Sequence, residues 1–124
     1  MYSCKADEVQ SFIISRAPRF VDQDDLDALV KDVREERSFA FRSEDTVVIL
    51  ALKPVHGRLD LFVQLAVSSR GDGAVSTYLP FVEKVARDLG AKKVRFRSKR
   101  PGWFRRLDAR WRVSHVEFEM DPWA

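Results

Sequence analysis

The sequence predicts one α/β domain with a mixed, mostly antiparallel sheet. Apolar residues recur at helical spacing in 6–17, 22–33 and 77–90, whereas they alternate with polar residues across 38–68. A length of 124 residues fits a single domain spanning 1–124. We therefore expect the order α-α-β-β-β-α-β-α-β. In this order 1–37 is helical, 38–68 is an antiparallel meander, and 69–120 holds a glycine loop, helix, strand, short helix and closing strand.

The N-terminal part is expected to form two helices. Val9, Phe12 and Ile13 share a helical face in the first, and Pro18 ends that run. Asp22 suits the N-cap of the second helix. Its apolar stripe follows the i, i+3, i+4, i+7 spacing and consists of Leu26, Leu29, Val30 and Val33.

The middle of the chain is expected to form three strands. Strands at 39–41, 46–53 and 59–67 are separated by polar turns at 43–45 and 54–57. In the third strand the apolar residues alternate with the rest, at Leu59, Leu61, Val63, Leu65 and Val67. Short turns between successive strands predict antiparallel pairing.

A helix and further strands complete the predicted sheet. Thr77 as N-cap would place Pro80 in the first helical turn, where a missing N–H costs nothing, and Gly90 would end the helix as a C-cap. A strand at 92–97 follows, and a right-handed crossover should place it parallel to 59–67. The nine expected core residues are Leu29, Val33, Val48, Leu50, Val63, Leu65, Val82, Ala86 and Val94.

The charge is unevenly distributed, although its net value is only +3. Residues 1–60 carry 9 Lys and Arg against 12 Asp and Glu, whereas 61–124 carry 13 against 7. The basic residues of 61–124 would form a basic surface at the C-terminal half. That surface would favour binding to an acidic protein partner in an assembly or to a phosphate, or it is simply a solvated face. Nucleic acid is an alternative ligand, although the sequence contains no recognised nucleic-acid-binding motif. The residues expected to serve a partner are Arg95, Arg97, Lys99, Arg100, Arg105 and Arg106.

The sequence contains no run of 18 apolar residues and no secretory pattern, which predicts a chain that does not enter a membrane. Cys4 is the only cysteine, so no disulfide within the chain and no cysteine-based metal cage can form. These features favour the cytoplasm, or a virion assembled there.

The glycine loop carries a family resemblance. Ser68-Ser69-Arg70-Gly71-Asp72-Gly73 lies between the last meander strand and a helix, where the GNAT N-acetyltransferase superfamily has a (Gln/Arg)-x-x-Gly-x-(Gly/Ala) turn. Gly90-Ala91 also resembles the step that precedes the family's next strand. The resemblance implies a GNAT-like acyl-CoA N-acyltransferase fold, with acetyl-CoA as acyl donor and an amine as acceptor. It implies cofactor-binding residues at Val67, Ser68, Arg70, Gly71, Asp72, Gly73 and Ala74.

Other features favour a second hypothesis. Residues 100–107, RPGWFRRL, look like short GNAT-like proteins of tailed bacteriophages. Ser68 replaces the family's long polar residue, and the tyrosine that often protonates the leaving thiolate has no counterpart after the strand at 92–97. The catalytic residues therefore stay unassigned, with Asp60 or His56 as the candidates for a general base near the meander. The alternative is an inactive protein of this fold that serves as an assembly module through its basic surface, and the glycine segment is then a plain tight turn.

Overall fold

A computed structural model describes residues 1–16, 23–69 and 75–96. The described helices are α1 (Ala6–Arg16), α2 (Gln23–Arg34) and α3 (Val75–Leu89). The described strands are β1 (Tyr2–Cys4), β2 (Phe39–Arg42), β3 (Thr46–Val55), β4 (Arg58–Ser68) and β5 (Lys93–Phe96). The predicted short helix and closing strand lie outside the described residues. Strand β1 was not predicted.

The strands form one sheet in the order β1-β2-β3-β4-β5. The neighbours β1–β2, β2–β3 and β3–β4 are antiparallel, whereas β4–β5 is parallel. Both the antiparallel meander over 38–68 and the parallel pairing of 93–96 with β4 are thus confirmed. Strand β1 is an edge strand that pairs Tyr2 with Arg42 and Cys4 with Ala40.

Helices α1 and α2 form because each has one apolar face to bury. Val9, Phe12 and Ile13 of α1 are buried, as are Leu26 and Val30 of α2. The predicted apolar stripes on these two helices are confirmed. Asp22, the predicted N-cap of α2, lies outside the described residues.

The turn between β3 and β4 is shorter than predicted. Pro54 and Val55 belong to β3, so the predicted turn at 54–57 is wrong in its first half. Only His56 and Gly57 form the loop, with φ of 50° and 78°. Positive φ at both central residues is the pattern of a two-residue hairpin turn whose twist matches that of the flanking strands.

Helix α3 begins earlier than predicted. It starts at Val75, so Thr77 is not its N-cap and Pro80 is its sixth residue. Pro80 cannot donate a hydrogen bond to the carbonyl four residues earlier, which is a loss within the helix. Burial of Tyr78, Val82 and Ala86 on one side of the helix offsets that loss. The predicted end at Gly90 is confirmed, since this residue has φ of 72° and directly follows the helix.

The two faces of the sheet carry separate apolar clusters. One cluster joins α1 and α2 to the sheet through residues such as Val47, Ile49 and Val67. The other joins α3 to Val48, Leu50 and Leu61. Of the nine predicted core residues, Val48, Leu50, Val63, Val82 and Ala86 are buried. The other four pack at the margins of these clusters and are only partly buried, namely Leu29, Val33, Leu65 and Val94.

Candidate active site

The described pairing of β4 with β5 covers part of β4. The parallel ladder runs from Asp60 opposite Lys93 to Val63 opposite Phe96. Phe96 is the last described residue of β5, whereas β4 continues to Ser68. Within the described ranges, therefore, the carboxyl-terminal half of β4 has a strand partner on its β3 side alone.

An irregularity in β4 begins at the same place. Ile49 pairs with Leu65 and Leu50 pairs with Val63, so Gln64 is an extra residue without a partner on β3. Such a bulge redirects the side chains that follow it. Leu61 and Val63 accordingly pack in the α3 cluster, whereas Leu65 and Val67 pack in the cluster of α1 and α2. The alternating apolar residues of β4, which the sequence pattern assigned to one face, thus lie on two faces.

The bulge presents a polar group to the face covered by α1 and α2. Gln64 Oε1 accepts a hydrogen bond of 2.7 Å from Ser38 Oγ. Ser38 is only 3% exposed and lies two residues before Ala40, which belongs to the cluster of α1 and α2. Sequence reasoning missed both residues, because nothing in the alternation along β4 marks Gln64 as an extra residue.

Two of the seven predicted cofactor-binding residues are described. Val67 is 7% exposed and packs in the core, so its side chain has a structural role. Ser68 lies opposite Thr46 at the last pair of the β3–β4 ladder. The backbone N–H of the next residue, Ser69, donates to Asp45 O at 2.8 Å and fixes the end of β4. The other predicted residues lie outside the described ranges: Arg70, Gly71, Asp72, Gly73 and Ala74.

Neither candidate for a general base lies next to the bulge. His56 is eight residues before Gln64, a separation of about 26 Å along an extended strand. Asp60 is four residues away, or about 13 Å by the same rise, and it is wholly buried. Asp60 Oδ2 accepts a hydrogen bond of 2.8 Å from Arg95 Nε, and Arg58 Nε lies 3.4 Å from Oδ1. These ion pairs assign Asp60 a structural role, because a base must first reach the proton that it removes.

The two tyrosines are also remote from the position expected for a general acid. Tyr78 is 3% exposed and packs in the α3 cluster. Tyr2 lies on β1, three strands from β4, which corresponds to about 14 Å across the sheet. Neither follows β5, where the resemblance expects such a tyrosine.

Of the predicted partner-binding residues, the structure describes Arg95 alone. Its side chain is 12% exposed and paired with Asp60, so it belongs to the interior of the sheet more than to an open surface. The assembly hypothesis rests otherwise on Arg97, Lys99, Arg100, Arg105 and Arg106, which lie outside the described residues. It stays a prediction, as does the likeness of 100–107 to phage proteins.

A cavity of about 420 Å³ lies elsewhere, where α1 and α2 meet the β1 edge of the sheet. Cys4, Lys5, Arg34 and Phe39 contribute to its lining. None of its described lining residues belongs to β4, although Ser38, which donates a hydrogen bond to Gln64 of the bulge, is among them. Among the described helices, none has the length and apolar character needed to cross a membrane.

The fold is shared with solved structures of low sequence identity. A ribosomal-protein-alanine N-acetyltransferase from Brucella melitensis biovar Abortus 2308 superposes with a TM-score of 0.57 and 18% identity, covering 90% of this chain and 94% of its own. A candidate acetyl transferase from Pyrococcus furiosus gives 0.54 and 18%, covering 88% and 91%. An integron cassette protein from the mobile metagenome of Cole Harbour Salt Marsh gives 0.61 and 17%, covering 92% and 84%.

No protein-family model and no curated protein matches the sequence. The similarity to known proteins is therefore one of fold. The described residues combine an antiparallel meander, a parallel fifth strand and a helix between β4 and β5, as in these neighbours. This chain has the fold of the GNAT N-acetyltransferases.

Proposed function

We propose that the protein is an acyl-coenzyme A-dependent N-acetyltransferase whose donor lies along the carboxyl-terminal half of β4. The observation that carries this proposal is the bulge at Gln64, which directly follows Val63, the last residue of β4 in the described part of the β4–β5 ladder. The shared fold with N-acetyltransferases supports the same class of reaction.

The backbone of β4 suits a ligand that contains amides. Past the bulge the strand is paired with β3 from Leu65 through to Ser68, which keeps this part extended. A strand edge can bind an extended partner through main-chain hydrogen bonds. The pantetheine arm of coenzyme A contains two amide groups in an extended chain, so it can occupy the position that a neighbouring strand would take.

The start of α3 suits the pyrophosphate. A helix N-terminus attracts anions through its free N–H groups and its dipole. Helices α1 and α2 carry acidic residues in their first turns, at Asp7 and Glu8 and at Asp24 and Asp25. Helix α3 has none in its first turn, so no side-chain carboxylate there opposes an external anion. The predicted loop Arg70 to Ala74 directly precedes this helix in the sequence.

The reaction would be a direct acyl transfer. The lone pair of the acceptor nitrogen attacks the thioester carbon, the C–S bond breaks, and the thiolate leaves with the bonding electrons while the nitrogen loses a proton. The described residues contribute by positioning the reactants rather than by covalent catalysis. Because Asp60 and His56, the candidates within the described residues, are out of reach, the proposed proton acceptor is water. We therefore expect slow turnover that rises with the fraction of unprotonated amine.

Ligand-dependent thermal stability tests the proposal. Acetyl-CoA at 100 times its dissociation constant should stabilise the fold by about 2.7 kcal/mol, which corresponds to several degrees in Tm. Gly73→Leu should remove this shift while leaving the Tm of the free protein nearly unchanged. ADP serves as a control ligand that lacks the pantetheine arm and should give a smaller shift. An unchanged Tm with millimolar acetyl-CoA would refute the proposal.

A further inference from the structure

A strip of basic side chains crosses β3, β4 and β5 on the face opposite α3. Cross-strand partners point to the same side of a sheet, and the pairs here are Lys53 with Asp60, Val55 with Arg58, and Phe62 with Arg95. Leu61 and Val63, which alternate with these residues on β4, pack in the α3 cluster. We call Lys53, Arg58 and Arg95 the cationic strip, and Lys93 extends it on β5.

The strip presents positive charge to its surroundings. Lys53 is exposed, and the side chain of Arg58 keeps 35% of its accessible surface. Asp60, the acidic residue that the described ion pairs place beside the strip, has no exposed surface and lies between the guanidinium groups of Arg58 and Arg95. Its negative charge is therefore compensated inside the sheet, and an approaching ligand meets Lys53 and Arg58 first.

The strip and the bulge face the same side. The side chain of Gln64 reaches Ser38, which continues the face of α1 and α2. On β4, Phe62, the partner of Arg95, lies two residues before Gln64, or about 7 Å, and Asp60, the partner of Lys53, lies four residues before it, or about 13 Å. An acceptor that reacts near the bulge can thus extend over the strip.

We propose that the acceptor is the N-terminal amine of an acidic peptide, whose carboxylates at its second to fourth residues lie on the cationic strip. An extended peptide covers about 3.3–3.6 Å per residue, so 7–13 Å from the amine corresponds to those positions. This inference rests on the proposed function, because it needs the reacting amine to be at the bulge. A free amino acid is too short to join the two places.

A peptide fits the strip better than a nucleic acid does. Proteins that hold single strands without sequence preference combine basic residues with open aromatic faces for base stacking. Among the described residues of β3, β4 and β5, the aromatic residue on this face is Phe62, and Lys53 Nζ lies 5.6 Å from its ring centroid. The ammonium group covers that ring face, so these three strands offer charge without an open ring for base stacking.

Acetyl transfer to paired peptides tests the proposal. One peptide begins with alanine followed by three glutamates, and the other has three glutamines instead. We expect kcat/KM to be at least about fivefold higher for the acidic peptide at low salt, mainly through KM. Lys53→Gln should reduce this ratio about two- to fivefold, which is the range of one exposed ion pair. Lys53→Arg should preserve the ratio, and added salt should lower it.

Lys31→Gln is the matched control, since Lys31 is an exposed lysine on α2 and lies off the strip. Equal kcat/KM for both peptides, or a ratio unaffected by Lys53→Gln, would overturn the inference while leaving acetyl-CoA binding and the proposed function intact. Failure to bind acetyl-CoA would overturn both. Stronger competition by a single-stranded oligonucleotide than by an acidic peptide of equal charge would assign the strip to nucleic acid instead.

Discussion

Asp60 and Arg95 join two parallel strands through a hydrogen bond of 2.8 Å between Oδ2 and Nε, although they are 35 residues apart in the sequence. The carboxylate is wholly buried, and the Arg95 side chain is 12% exposed. Their position in the β4–β5 ladder fixes these strands beside each other next to the bulge at Gln64. The pair therefore stabilises the part of the sheet on which the proposed donor site depends.

Asp60→Ala is expected to destabilise the fold by about 3–5 kcal/mol, because it leaves Arg95 buried without its carboxylate. The free energy of unfolding from urea titration measures this loss. The double variant Asp60→Ala/Arg95→Met should recover part of it, since no unpaired charge then remains at that position.

Asp88→Ala provides the control. Asp88 forms an ion pair with Lys84 at 3.7 Å, but its side chain is 65% exposed. Exposed pairs contribute about 0–1 kcal/mol, so this variant should unfold almost as the parent does. Similar losses for Asp60→Ala and Asp88→Ala would contradict the structural role assigned to Asp60.

Leu61 and Leu65 should respond differently to truncation. Leu61 is wholly buried beneath α3, whereas Leu65 is partly buried at the margin of the other cluster. Leu61→Ala should cost about 2–5 kcal/mol as a large-to-small change in a packed core. Leu65→Ala should cost clearly less, and chemical denaturation of the two variants compares them. A greater loss for Leu65→Ala would show that the bulge has been placed in the wrong position.

The same two leucines show how far the sequence could predict the fold. The periods of two and 3.6 residues in the apolar pattern predicted the meander and the three helices. The preference for a right-handed crossover predicted that the fifth strand is parallel to its neighbour. The bulge at Gln64 leaves that alternation intact in the sequence while reversing its faces, so it had no local signal. Strand β1 has three residues and pairs with β2 far along the chain, which is equally invisible to a local pattern.

The candidate site was less predictable than the fold. Gln64 and Ser38 meet only because the bulge and the start of β2 converge across the sheet. The early start of α3 was also missed, since the local cost of Pro80 was weighed without the burial that tertiary packing supplies. Both errors arise from long-range contacts outweighing a local preference.

The ends of α2 and α3 have the same geometry but different residues. Glu36 N–H donates to Val33 O and Arg37 N–H to Asp32 O, and Gly90 and Ala91 repeat the pattern after α3. These are the two hydrogen bonds of a Schellman motif, whose central residue is left-handed. Glu36 has φ of 61° and Gly90 has φ of 72°.

Exchanging these residues should have opposite effects. Glu36→Gly should stabilise the fold by about 1 kcal/mol, whereas Gly90→Ala should destabilise it by about 1–2 kcal/mol, because side chains with a Cβ resist this conformation. A Cβ at Gly90 would meet nothing within 4 Å, so the loss would come from the backbone alone. Thermal unfolding measures both shifts, and changes of the same sign would contradict the assignment.

Cys4 should make stability depend on alkaline pH. Burial, aided by the Glu8 carboxylate and opposed by Arg42, raises the pKa of its thiol from 9.0 to about 11. Between those values the unfolded chain releases the thiol proton while the folded chain retains it, so ionisation favours the unfolded state. The contribution of this thiol to stability is therefore full below pH 9.0 and is lost as the pH rises toward about 11.

Urea titrations at successive pH values should show this decline in the free energy of unfolding of the parent protein and a shallower decline in Cys4→Ala. The rate of thiol alkylation in the folded protein should likewise rise near pH 11, and a rise centred on 9.0 would show that the thiol is not shielded.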